Sequence, residues 1–252
     1  MNILLEIINS LDKEEIRFYK LFAGRTNSGD TRKDILLFDF IKQNREEYDE
    51  QIISEELYKD NKNSFYQLKN RLYKDLNKSM MLQHMGKEKD IFILHFVLLS
   101  RIYKRKGKVR LSFHYLKKAE KEAENIEAYE LLSIIYSEIL TLSYDMVSVN
   151  VEEYIEKKRA NNEQLNWDQE IDLLLAAVSY KIKTAQNFSK NDESVNEILQ
   201  KTLDNFSKNK KIPKSPKFRI KVYQVVSRIL LQQHDFDALE VYLIHTYKEF
   251  TK

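Results

Sequence analysis

The sequence predicts an all-α protein: a small helical bundle over residues 1–86, then an α-solenoid of stacked helix pairs over residues 87–252. Three observations predict it. Glycine occurs 4 times and proline twice in 252 residues, against a usual combined share of about 12%. So few chain-turning residues cannot readily build a sandwich, a barrel or a glycine-rich phosphate loop. Apolar residues recur at helical spacings of three and four along nearly the whole chain. Breaks in that periodicity near Gly107, Met146, Lys190 and Asp235 stand 39 to 45 residues apart, a period proper to two-helix repeats.

In the bundle, 3–9 and 12–23 read as short helices parted near Ser10, and Gly24–Asp30 reads as a loop. Thr31, with Asp34 three residues on, resembles a capping box and opens a helix to about Gln43. Helices over 49–59 and 64–84 flank the polar turn Asp60–Ser64, with Asn63 or Ser64 as the cap. Phe65, Leu68, Leu72, Leu76 and Met80 share one face of the longer helix. Beyond Gly86 the helices pair: 89–106 with 109–124, 127–145 with 149–163, 167–187 with 193–208, and 216–233 with 236–250. Each pair has an apolar face it cannot cover alone, so stacking supplies the core. The connection over 210–216, which contains both prolines, is expected to be mobile.

Composition excludes several function classes. Lys and Arg number 42 and Asp and Glu 39, a net charge of +3, too balanced for whole-molecule attraction to nucleic acid. Cysteine is absent, which removes disulfides, thiolate metal sites and cysteine nucleophiles together. The opening MNILLEIINS has no basic region and contains Glu6, unlike a signal peptide. The longest apolar run, 91–99, falls far short of the roughly 20 residues that span a bilayer. A cytoplasmic protein without membrane contact is expected. The five histidines show no paired ligand spacing, and no nucleotide-loop or nucleophile-elbow motif occurs. No catalytic residue, metal or cofactor is therefore expected.

The pair at 89–124 carries a particular pattern. Its first helix has Phe96, Leu99, Ser100 and Tyr103, followed by Gly107; its second has Ser112, Leu116 and Ala119. Small residues let two helices approach and large ones fill the space beside them. This pattern resembles the tetratricopeptide repeat. Weaker forms of the first-helix pattern begin at Tyr129, Leu173 and Tyr223. The resemblance implies right-handed stacking and a non-enzymatic scaffold that holds a protein or peptide in the groove. In that register Leu94, Val97, Arg101, Lys104 and Arg105 would line the concave surface. Six basic residues and no acid lie within 101–110, so an acidic partner would suit them through charge-assisted hydrogen bonds. The other reading of this run is a solvated helix end whose cations complement the helix dipole. A second basic run, Lys208–Lys221, reads as a solubilising linker.

A different function is a DNA-binding regulator. Helices 49–59 and 64–84 could form a helix-turn-helix, with Gln67, Arg71, Lys74 and Lys78 in one row as phosphate or base contacts. Against this, Glu46, Glu47, Glu50, Glu55 and Glu56 crowd the preceding helix and would repel a phosphate backbone. Protein binding is the primary expectation.

Overall fold

The structure is a computed structural model that describes residues 3–26, 32–44, 48–59, 61–146, 148–185, 215–233 and 236–250. Among these, all regular structure is α-helical. The helices are α1 (Ile3–Ser10), α2 (Lys13–Thr26), α3 (Lys33–Asn44), α4 (Glu50–Tyr58), α5 (Lys62–His84) and α6 (Lys89–Arg105). They continue with α7 (Val109–Asn125), α8 (Tyr129–Leu142), α9 (Val151–Ala185), α10 (Pro216–Gln233) and α11 (Phe236–Phe250). By packing the chain divides into two units, Met1–His95 and Phe96–Lys252.

The first unit is organised by α5, against which α2, α3 and α4 pack, while α1 packs on α3. Ile8, Leu37, Phe38, Ile41, Leu72 and Leu76 lose all contact with solvent there. Of the face expected on α5, Phe65, Leu68, Leu72 and Leu76 are buried in this core and Met80 packs partly buried against it. Asp12 and Glu15 cap α2 reciprocally, each carboxylate accepting from the other's backbone N–H at 2.8 Å, which satisfies two donors that helix geometry orphans. The cap of α5 is Asn61, whose side chain accepts from the Ser64 amide at 3.1 Å, not Asn63 or Ser64. Helix α2 also runs through Gly24 to Thr26, so the loop starts later than the glycine suggested. Thr31, the expected cap of α3, lies outside the described residues.

In the second unit, α7 packs on α8, α8 on α9, α9 on α10 and α10 on α11. The expected helices at 89–106, 109–124, 216–233 and 236–250 are present to within a residue. The expected break between 163 and 167 is not. One unbroken helix of 35 residues covers Val151–Ala185, because that span contains neither glycine nor proline to end it. The helix expected at 193–208, the breaks at Lys190 and Asp235, and most of the proline-bearing connection lie outside the described residues. Pro216 opens α10 at the position where a missing N–H costs nothing.

Two turns in this unit are built alike. Gly107 has φ of 67°; its amide bonds the Lys104 carbonyl and the Lys108 amide bonds the Tyr103 carbonyl, both at 2.9 Å. Twenty residues on, Glu127 has φ of 51°, and the Glu127 and Ala128 amides bond the Glu124 and Ala123 carbonyls. A left-handed residue after the helix end is the usual way to satisfy last-turn carbonyls. Only the first of these turns uses the residue that suits it.

Candidate partner-binding surface

The α6–α7 hairpin is held where the sequence places small residues. Ser100 and Ser112 are both buried, with their hydroxyl oxygens 2.7 Å apart. Leu116 and Ala119 are fully buried. Tyr103 and Tyr115 stack nearly parallel with ring centres 5.4 Å apart, and Phe96 stacks on Tyr115 at 6.0 Å. The rings thus fill the flank of the hairpin, and the serines mark its line of closest approach.

The opposite face of α6 is open. Leu98 and Ile102 are 48% and 44% exposed, and with Arg101 and Arg105 they form an i, i+3, i+4, i+7 row on one face. Arg101 Nε donates to Glu138 Oε1 on α8 at 2.6 Å, and Ile134, one turn before Glu138, is exposed on that helix. The ion pair therefore sets the open faces of α6 and α8 side by side. It also occupies the guanidinium expected to greet a partner's carboxylate. Arg105 is exposed and Lys104 half-buried. Val97 is only 3% exposed, so its side chain belongs to the interior and not to a contact surface. Leu94 is exposed, on the part of α6 that falls in the first unit.

A polar centre that sequence reading missed lies among α7, α8 and α9. Glu120, 2% exposed, receives hydrogen bonds from Lys117, from Lys157 at 2.6 Å and from Tyr154 at 3.1 Å. Lys117 also bonds the Tyr154 hydroxyl at 2.8 Å, and Tyr136 donates to Glu124 at 3.0 Å. Burial by itself would raise the Glu120 carboxyl; the hydrogen bonds from both lysines and their charges more than reverse this and hold it below its ordinary value. Burial would likewise lower Lys117, but its bonds to Glu120 and Tyr154 hold it above its usual value. Glu120 and Lys117 stay charged at neutral pH, while burial holds the Tyr154 and Tyr136 hydroxyls above their ordinary value and so protonated. The arrangement fastens helices and leaves no group idle for proton transfer. Its one sequence signal was the i, i+3 pair Lys117 and Glu120 on α7, which many solvated helices also carry.

The row proposed for nucleic acid is placed as expected in one respect. Gln67, Arg71, Lys74 and Lys78 are all exposed on α5, with Lys78 3.9 Å from Asp75. Asp49, Glu50, Glu55 and Glu56 lie at the start or along α4, which packs on the same helix. Among the described residues no three His, Cys, Asp or Glu side chains are grouped to hold a metal ion, and no helix is long and apolar enough to cross a membrane. No family model, curated protein or solved structure matches the chain.

Proposed function

We propose that the second unit is a tetratricopeptide-like array of helical hairpins and that the protein is a non-enzymatic scaffold, holding a partner protein or peptide on the joined faces of α6 and α8. The observation that carries this reading is the way contacts skip one helix. Arg101 ties α6 to α8, Glu120 with Lys157 and Tyr154 ties α7 to α9, and Lys217 at the start of α10 donates to the Glu127 carbonyl just before α8 at 3.1 Å. Helices that touch both their next and next-but-one neighbours are what stacked hairpins produce. The unbroken α9 departs from a regular repeat at that point. The surface offers apolar contact from Leu98, Ile102 and Ile134, with Lys104 and Arg105 at one end to favour carboxylates in the partner.

The test is comparative affinity capture. Leu98→Glu with Ile102→Glu, and separately Lys104→Glu with Arg105→Glu, should each lose the same proteins that the unaltered chain retains. Lys121→Glu, an exposed change on α7, should keep them. Arg101 is unsuited to this test because its reversal would oppose Glu138 and disturb the helices themselves. Equal capture by all variants would defeat the reading.

The exposed row on α5 supports a second reading, a DNA-contacting regulator. It requires retention on duplex DNA at low salt that falls steeply as salt rises and that disappears with Arg71→Glu and Lys74→Glu.

A further inference from the structure

Helices α2 and α5 of the first unit run antiparallel. Glu15, early in α2, meets His84 at the end of α5 with Oε1 and Nε2 2.9 Å apart, and Glu14 pairs with Lys87 just beyond. Further along the pair, Phe22 of α2 and Asn77, Lys78, Met81 and Leu82 of α5 line a hollow of about 400 Å³ whose accessible lining is apolar. Phe22 keeps its own contacts within the chain and serves as the wall. Leu21 beside it, with Met81 and Leu82 across the groove, are 58%, 54% and 48% exposed. Large apolar side chains gathered at an apolar hollow mark a place of association, and a methionine adapts to the shape of what enters.

The charges beside the hollow say what fits it. Lys78 is 67% exposed, and the acid it approaches, Asp75, is 3.9 Å away and only 23% exposed. Lys74 stands one turn before Lys78, and Arg25 one turn after Phe22. Both are exposed, and among the described residues neither has an ion pair. Three cations against one half-covered acid suit an apolar side chain flanked by carboxylates. The groove between two antiparallel helices takes a third helix laid along it. An extended peptide would need unpaired backbone groups to bond to, and the middle of a helix presents none. A bilayer surface is flat and would leave the hollow empty. A phosphate backbone would meet the cations but strand Leu21, Met81 and Leu82 against its charge.

We propose that the α2–α5 groove is a second docking site, one that takes an acidic amphipathic helix of a partner protein. Leucine or phenylalanine side chains at i and i+3 or i+4 of that helix enter the hollow, and its flanking glutamates or aspartates face Arg25, Lys74 and Lys78. The site belongs to the first unit, and its binding stands or falls apart from that of the α6 and α8 faces.

The experiment is fluorescence anisotropy on the full chain with two labelled synthetic helices of about 16 residues. One carries leucines along one face and glutamates on both flanks; the other is identical except for lysine at every glutamate. The unaltered protein should bind the acidic helix and disfavour the basic one by about ten-fold or more. Lys74→Glu with Lys78→Glu should reverse that preference, a gain of binding that misfolding cannot produce. Met81→Gln with Leu82→Gln should weaken the acidic helix about ten-fold or more, with an unchanged circular dichroism spectrum. No binding of the acidic helix, equal binding of the two helices, or an unaltered preference in the charge-reversed variant would each overturn the proposal. Binding to vesicles of phosphatidylserine and phosphatidylcholine, or to duplex DNA, in place of the acidic helix would overturn it too. The first result would assign the face to a membrane surface, and the second to nucleic acid.

Discussion

Glu120 gathers hydrogen bonds from three side chains, Lys117, Tyr154 and Lys157, in the second unit. Removing its carboxylate by Glu120→Ala strips Lys117, Lys157 and Tyr154 of their common acceptor. Breaking a buried pair in this way costs 3–5 kcal/mol in general. Lys117 and Lys157 keep part of their surface in water, so about 3 kcal/mol is expected, read as a lowered midpoint in denaturant. The pH dependence has a definite sign. A carboxyl held below its unfolded value contributes stability that is fully present above that unfolded value and is lost as pH falls through the folded one. The chain should therefore lose stability in the acid range below the ordinary carboxylate value, and Glu120→Gln should flatten that limb of the stability curve. An unchanged acid limb in the variant would show that other carboxylates govern it.

Two more residues test the turns. Gly107 takes a left-handed φ with nothing within 4 Å of where a Cβ would stand, so Gly107→Ala costs only backbone strain, about 1 kcal/mol. Glu127 already bears that strain, and its Oε2 is buried without a hydrogen-bond partner. Glu127→Gly should raise stability by about 1 kcal/mol, an unusual gain for a substitution to glycine. Denaturant midpoints of the two variants should move in opposite directions.

Among elements, the α6–α7 hairpin depends on the hydroxyl pair of Ser100 and Ser112. Ser112→Ala alone leaves a buried hydroxyl on Ser100 with no partner and should cost about 1–2 kcal/mol, while the double alanine variant should cost less than the sum of the singles. Additive single effects would mean that the hydroxyls do not depend on each other. This hairpin was legible beforehand because its turn is marked by glycine and its helices differ in period from the turn. The ends of α10 and α11 were legible for similar reasons, a proline at one start and a clean apolar rhythm. The break expected after residue 163 was wrong, since the helix runs on to Ala185. Asn161, shortly before that point, is buried and donates to the Tyr129 carbonyl on α8 at 2.9 Å. An asparagine that serves a neighbouring helix looks the same in sequence as one that ends its own.

For the whole molecule, fold class followed from composition, because a chain with 4 glycines and 2 prolines has little choice but helix. Sites were less legible. Val97 was assigned to a surface and belongs to the interior, since a helix on a hairpin has one covered and one open face and a shift of one position exchanges them. Arg101 was expected to meet a partner's carboxylate, and it pairs with Glu138 of the same chain. The Glu120 cluster was missed because its members come from three helices and only the Lys117–Glu120 spacing on α7 showed in the sequence.

The unbroken run of α9 has a practical consequence for anyone who would shorten the protein. At 1.5 Å per residue it extends about 50 Å. Its early portion holds Tyr154, Lys157 and Asn161 toward α7 and α8, and its later portion holds Ile171, Leu174 and Val178 toward α10. A truncation after residue 163 or 166, where a repeat was expected to end, would sever a beam shared by two neighbouring bays. The piece kept would carry an open helix end and lose the wall its successor leans on. Durable fragments should end outside 151–185, at the α8–α9 connection.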